Sequence, residues 1–335
     1  MVFRTEQEII PEVKPLLKGK PLVDGEKQKR TKKKQPPKGS RWSIVVFFAL
    51  TLILIALFWL KNSLPVFWQK LTAPLVITGT RQEVKFDASP VLKQVQILTK
   101  DLRGKYGLYV YEFSSKEEYG LSQKESFPAA SLMKLPVVLC FYQEVEKGNL
   151  RLETKYTLQE KDKVLGAGIL QGKAAGSVYS YQQLIEYMGQ YSDNTAFKFI
   201  RRILGDEKIQ QTIDDLGMSG TSLKDFKTTP EDMGLLFQKL YQGKVISAEH
   251  RDQMFVFLTK TAFEDWLPAG LPERIRIAHK IGKDLGTFSD GGVVFADQPY
   301  VIVVMSKEAR ETEVEEVLPK ISRQVFDFEN SLDSL

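Results

Sequence analysis

"FPAASLMKLPVVLC", residues 127–140, sets a serine and a lysine three apart at the mouth of an apolar run with helical spacing. Two readings stand open. Ser131 is a nucleophile with Lys134 as its partner one turn on, or it is the N-cap of a helix that carries a lysine in its first turn. A Ser-x-x-Lys spacing arises by chance about once in a chain of this size, so its surroundings have to decide.

Working outward, the 335 residues are 43% hydrophobic and 27% charged, enough for a substantial core and too mixed for wholesale disorder. The net charge of +5 is local. Lys27, Lys29, Arg30, Lys32, Lys33, Lys34, Lys38 and Arg41 fall within fifteen residues, interleaved with Pro36, Pro37 and Gly39. Residues 1–41 therefore read as a solvated, disordered basic tail, and nucleic acid is not an expected partner. Next comes "SIVVFFALTLILIALFWL", Ser43 to Leu60, eighteen residues without a charge. With Trp42 at its edge this is long enough for a transmembrane helix over 42–60. A cleaved signal peptide would have a shorter apolar core and an Ala-x-Ala-like site, whereas Lys61, Asn62 and Pro65 follow here. The basic excess on the N-terminal side predicts a single-pass anchor with that end cytoplasmic, close to anionic lipids, and the remainder extracytoplasmic.

Residues 61–88, with Pro65, Pro74 and Gly79, read as a juxtamembrane linker, and 89–330 as one domain. "SPVLKQVQILTKDLRG" has helical periodicity, with Ser89 as N-cap, Pro90 at the first helical position and Gly104 closing it. "YGLYVYEFSS" and "EEYGLS" alternate as a strand hairpin, and a long helical middle follows from about 131 to 260. "RIRIAHKIG", "GTFSDGGVVFAD" and "YVIVVMSKEA" are strand-like, before a last helix in "ETEVEEVLPKISRQVFDFE". The order predicts an α+β domain: an antiparallel sheet built from both ends of the chain, plus an all-helical subdomain.

Other chemistries find little footing. Cys140 stands alone in an apolar stretch and reads as a buried structural thiol. His250 and His279 belong to no Cys/His cluster or HExxH pattern, so neither a metal nor a cofactor is expected. No Gly-x-Ser-x-Gly elbow occurs. "VLGAGILQGKAAG", residues 164–176, lacks the context of a phosphate loop and reads as the rim of a cleft.

Two clusters raise Ser131 above chance. Ser192, Asp193 and Asn194 in "YSDNTAFKFI" lie between two helical stretches, and "AHKIGKDLG" puts Lys280 and Gly282 on a late strand. In this order Ser-x-x-Lys, Ser-Asp-Asn and Lys-x-Gly resemble the class A β-lactamases and the penicillin-recognising serine enzymes, over about residues 89–330. The resemblance implies roles. Ser131 is the nucleophile and Lys134 its base, depressed by burial and by the second cation, Lys280. Ser192 relays the proton to the departing nitrogen and bridges the two lysines. Asn194 binds the substrate amide, Gly282 and Lys283 lie along the substrate, and the NH groups of Ser131 and Lys283 form the oxyanion hole. Asp193 is expected to hold the turn between the helices.

The chain departs from the family twice. Where the family has Lys-Thr-Gly or Lys-Ser-Gly, Ile281 removes a hydroxyl that helps bind a substrate carboxylate. The loop that supplies a deacylating glutamate is represented by "MSGTSLKDFKTTPEDMG", which is short. Its Glu231 reads as part of a helix start capped by Thr229. Three readings follow. One is an acyl-serine hydrolase acting on β-lactam or peptidoglycan stem peptides and slow to deacylate. The second is a ligand-binding or sensing module that does not turn over. The third is a membrane-anchored scaffold. Five polar groups, Ser131, Lys134, Ser192, Asn194 and Lys280, favour the first, because a scaffold has no use for burying them together.

Overall fold

The computed structural model describes residues 41–63 and 86–332. The expected basic tail and juxtamembrane linker lie outside the described residues except at their ends. The chain divides into two units, Met1–Arg81 and Gln82–Leu335. In the first, helix α1 (Arg41–Ser63) contains the apolar run. Its described apolar side chains, Val45, Phe47, Phe48, Leu52 and Leu54 among them, are exposed, and the Thr51 hydroxyl donates to the Phe47 carbonyl at 2.7 Å. Among the described residues, no helix is long and apolar enough to cross a membrane. In α1 the continuous stretch of described side chains covers only 45–55, shorter than a span, so the anchor is taken up again below as a proposal.

The second unit opens with helix α2 (Ser89–Thr99). Ser89 is not its cap: Ala88 holds that position without a side-chain bond, and the Ser89 NH donates to Asp87 Oδ1 at 2.9 Å. The hairpin follows as strands β1 (Lys105–Glu112) and β2 (Glu118–Leu121). The late segments form β7 (Arg276–Asp284), β8 (Thr287–Phe295) and β9 (Tyr300–Lys307), and helix α9 (Glu311–Leu332) ends the unit. All neighbours are antiparallel in the order β2-β1-β9-β8-β7. Pairing of β1 with β9 over eight positions, Lys105↔Lys307 to Glu112↔Tyr300, joins the two ends of the chain.

Strand parity sorts the apolar side chains into two cores. Leu108, Val110, Ile302 and Val304 pack with α2 and α9. Tyr109, Tyr111, Val301, Val303 and Met305 face the helical subdomain. Because both faces are covered, β9 is buried from Tyr300 to Ser306 and its apolar run is nearly continuous.

The helical subdomain contains α3 (Lys134–Glu146), α4 (Tyr181–Gln190), α5 (Asn194–Leu204), α6 (Asp206–Asp215), α7 (Pro230–Tyr241) and α8 (Ala248–Leu258). Two small ladders, β3 (Phe127–Pro128) with β6 (Lys227–Thr228) and β4 (Lys155–Thr157) with β5 (Val178–Ser180), were not legible as strands. Helix α3 is buried from Lys134 through Tyr142, which makes it the centre of the subdomain. Pro136 is tolerated in its first turn, where backbone NH groups have no intrahelical partner.

Candidate active site

The turn that carries Ser131 is tighter than a helix N-terminus. Ala130–Met133 forms a 3₁₀ turn that runs directly into α3, and its preceding residue, Ala129, makes no side-chain cap. Ser131 is therefore not an N-cap, which removes the plainer of its two readings. Ala130 adopts a φ of 43°, so the residue before the serine sits in the left-handed region. Ser192 at 54° and Phe226 at 54° share that conformation, which makes three of the six such non-glycine residues among those described neighbours of one cleft. Backbone held this way persists only where its surroundings enforce it.

The cleft opens over Ser131 with a volume of about 320 Å³. Ala130, Ser131 and Lys134 form its floor, Gly166, Ala167, Asn194 and Phe197 one wall, and Phe226, Lys283 and Asp284 the remainder. Lys134 is 4% exposed. Its Nζ stands 2.7 Å from Ser131 Oγ, 3.1 Å from Ser192 Oγ and 2.8 Å from Asn194 Oδ1. One turn of the chain between Ser131 and Lys134 makes the first contact; the other two come from the loop and helix start sixty residues on.

Ser192 and Asp193 connect α4 to α5, and Asp193 is the N-cap of α5. Its Oδ1 accepts the Ala196 NH at 2.9 Å, while Oδ2 accepts the NH groups of Ile169 at 2.7 Å and Leu170 at 2.8 Å. One carboxylate thus ties the 164–176 segment to the helix that presents Asn194. Gly168, at φ 109°, passes so close to Asp193 that a Cβ would overlap it. Asn194 Nδ2 completes the join by donating to the Leu165 carbonyl at 3.3 Å. The expected rim of the cleft is in place, pinned at its base.

The opposite side is the outer strand, β7. A Cβ at Gly282 would stand 3.2 Å from the Ala129 carbonyl oxygen, 3.3 Å from Ala130 Cβ and 3.4 Å from Leu132 Cγ. The strand and the serine's turn are therefore in close contact, and a Cβ there would require one of them to give by a few tenths of an ångström. Lys280, 1% exposed, donates to the Ile281 carbonyl at 3.0 Å. No Ser192–Lys280 hydrogen bond is present among the described residues. The two lysines are therefore not bridged by Ser192, which is held by Lys134 alone.

Burial holds the Lys134 ammonium down to about 8, against the opposing pull of the Asp193 charge. Burial also pushes Lys280 well below the ordinary lysine range, with the Lys134 charge adding to the effect and Asp290 working against it. At neutral pH about a tenth of Lys134 is then the free amine, enough for its lone pair to take the Ser131 proton.

Within the sheet, His279 on β7 and Asp290 on β8 are fully buried, with His279 Nδ1 2.8 Å from Asp290 Oδ1 and Nε2 3.0 Å from Thr261 Oγ1. Burial opposes its charge, but the Asp290 charge and hydrogen bond, with help from Glu264, outweigh that and raise the imidazole to about 9. Glu231 lies off the cleft: Thr229 Oγ1 caps α7 by accepting the Asp232 NH at 3.0 Å, and Glu231 pairs with Lys124 at 3.6 Å. Asp225 is folded onto Ser222 Oγ at 3.0 Å. Cys140 is buried, and burial raises its thiol.

Sequence reasoning missed Phe197 and Phe226 as cleft residues. Phe197 had a signal, three positions after Asn194 on one helix face, and its ring lies 5.6 Å from Lys134 Nζ. Phe226 had none, because its place depends on the β3–β6 ladder.

The profile of the Beta-lactamase enzyme family matches residues 90–328. Among curated proteins, β-lactamase VEB-1 of Pseudomonas aeruginosa is 22% identical over 269 residues, covering 70% of this chain and 89% of that one. β-lactamase L2 of Stenotrophomonas maltophilia is 24% identical over 203 residues, 56% of this chain and 67% of that one. Among solved structures, PBP-A is 28% identical with a TM-score of 0.67, covering 74% of this chain and 97% of its own. Its L158E mutant was solved as an acyl-enzyme complex with penicillin G. The β-lactamase of Sphaerobacter thermophilus, 24% identical, has a TM-score of 0.68 over 72% of this chain and 97% of its own.

Proposed function

The chain belongs to the Beta-lactamase enzyme family, and from that premise we propose that it is a membrane-anchored, extracytoplasmic acyl-serine hydrolase that forms its ester quickly and loses it slowly. The observation that carries the reading is the 2.7 Å contact between Lys134 Nζ and Ser131 Oγ, made by a buried lysine with a depressed pKa.

The free amine of Lys134 takes the Ser131 proton as Oγ attacks the carbonyl carbon of an amide. The NH groups of Ser131 and Lys283, on either side of the cleft, receive the developing oxyanion. When the C–N bond breaks, the proton passes from Lys134 through Ser192, 3.1 Å away, to the departing nitrogen. Asn194 and Lys280 keep the lysine and the strand edge in place around the substrate. An ester on Ser131 remains.

Hydrolysis of that ester needs a base for water. The acid among the cleft residues is Asp284, whose Oδ1 already accepts the Leu285 NH at 2.8 Å. Glu231 is engaged elsewhere. This supports slow deacylation, and with it β-lactams as acylating agents and peptidoglycan stem peptides as the substrate class. Labelling with a fluorescent penicillin, read by gel and intact mass, tests the reading; an enzyme that takes up no adduct would end it.

The anchor is supported by the uncharged run Ser43 to Leu60 within α1 and the basic cluster before it. A reporter fused after Leu335 should be active only outside the cytoplasm. Cytoplasmic activity would exclude cell-wall substrates.

A further inference from the structure

Phe226 is held in a conformation that is costly for a phenylalanine. Its φ of 54° lies in the left-handed region, which Gly and Asn occupy far more readily than a bulky side chain. The turn that carries it is closed from both sides: the Ser222 NH donates to the Lys227 carbonyl at 2.9 Å, and the Lys227 NH donates back to the Ser222 carbonyl at 3.2 Å. The Phe226 carbonyl also accepts the NH of Ala129 at 2.8 Å, which ties this residue to the segment leading into Ser131. Backbone strain kept under such constraint points to the side chain it presents.

That side chain enters the catalytic cleft beside Phe197. The two half-buried rings meet edge to face, with centroids 6.2 Å apart and planes at 76°. The Phe197 ring centroid in turn lies 5.6 Å from Lys134 Nζ. Ser131, Ser192 and Asn194 take the hydrogen-bond directions of that amine, and the ring adds an apolar neighbour. An ammonium gains little from a ring so close to the outer limit of about 6 Å, whereas hydrocarbon in place of water acts against its charge. The charged groups around the amine are Asp193 from the α4–α5 connection and Lys280 from β7, with Lys283 and Asp284 sharing the cleft. Lys224, Asp225 and Lys227 on the turn itself are exposed. Substituting Phe226 alters none of these charges.

We propose that Phe226 is a positioning residue for acylation: it clamps the Phe197 ring against Lys134 and keeps solvent off the amine that takes the Ser131 proton. The inference deepens the acyl-serine reading and rests on it.

The test is the pH dependence of acylation by a fluorescent penicillin, in the native protein and in Phe226→Gly, Phe226→Asn and Phe226→Leu, each checked by thermal melting. Gly and Asn suit the backbone at this position while removing the ring, and Leu keeps an apolar wall. In the Gly and Asn proteins the midpoint should rise from about 8 to about 9, slowing labelling at pH 7 about tenfold, with the high-pH plateau retained. Phe226→Leu should keep the native midpoint. A midpoint that does not rise in a folded Gly or Asn variant, or that rises equally in the Leu variant, would overturn the role of Phe226 alone. Loss of the fold in both Gly and Asn variants would overturn it too, by making Phe226 a packing residue. A native protein that takes up no penicillin would overturn the acyl-serine reading beneath it.

Discussion

Lys134 Nζ and Ser131 Oγ are 2.7 Å apart, and Ser192 Oγ and Asn194 Oδ1 take the two remaining hydrogen-bond directions of that amine. The lysine can neither rotate away nor be solvated without leaving polar atoms unpaired. Ser131→Ala should abolish covalent labelling by penicillin while the far-ultraviolet circular dichroism stays native. Lys134→Ala should slow labelling by about a thousandfold or more, because among the described residues no other side chain hydrogen-bonds to Oγ. An adduct on the Ser131→Ala protein, seen by intact mass, would identify a different nucleophile.

Acylation should depend on pH through the same lysine. Lys134 acts as a base only when neutral, and burial holds its proton affinity down to about 8. The labelling rate should therefore climb with pH between about 6 and 8 and level off above that. A rate that is flat across this window, measured with a β-lactam stable over the range, would remove Lys134 as the base.

A chromogenic cephalosporin should give a burst of about one equivalent followed by slow turnover, with the acyl-enzyme visible in the quenched mass spectrum. The cause is that, among the described residues, the acid lining the cleft is Asp284, which already accepts the Leu285 NH, while Glu231 and Asp225 are engaged elsewhere. Burst-free turnover at tens per second would mean that Glu231 or Asp225 leaves its present partner to activate water.

Asp193 should prove structural. Asp193→Ala leaves the NH groups of Ala196, Ile169 and Leu170 without their acceptor, which should cost about 2 to 4 kcal/mol by denaturant unfolding. Proteolysis within 164–176 should appear at the same time, since that segment loses its tie to α5. Native stability with an intact 164–176 segment would contradict this role.

His279 gives stability a pH dependence of known sign. Its folded value, about 9, lies above the ordinary imidazole, so its contribution is complete below about 6.5 and is lost as pH rises through 9. The buried lysines act in the opposite sense, so the comparison is native against His279→Gln. The difference in unfolding free energy should shrink by roughly 2 to 4 kcal/mol from pH 6 to pH 10. A difference that does not change with pH would mean that the imidazole is neutral in the fold.

The alternation along β1, the short apolar run of β9 and the helical spacing of α5 and α9 were legible in the order of residues alone, because burial on one face imposes a period and burial on both a continuous apolar run. The same holds for Ser131 and Lys134: three positions on a turn suffice to bring their side chains together, whatever the rest of the chain does. Tertiary structure decided the rest. That Ser131 lies in a 3₁₀ turn rather than at a cap, that Asn194 holds Lys134 and Ser192 does not reach Lys280, and that Phe226 enters the cleft all depend on contacts across fifty to two hundred residues. No local pattern encodes such distances, since they are set by how β7 packs on the serine's turn.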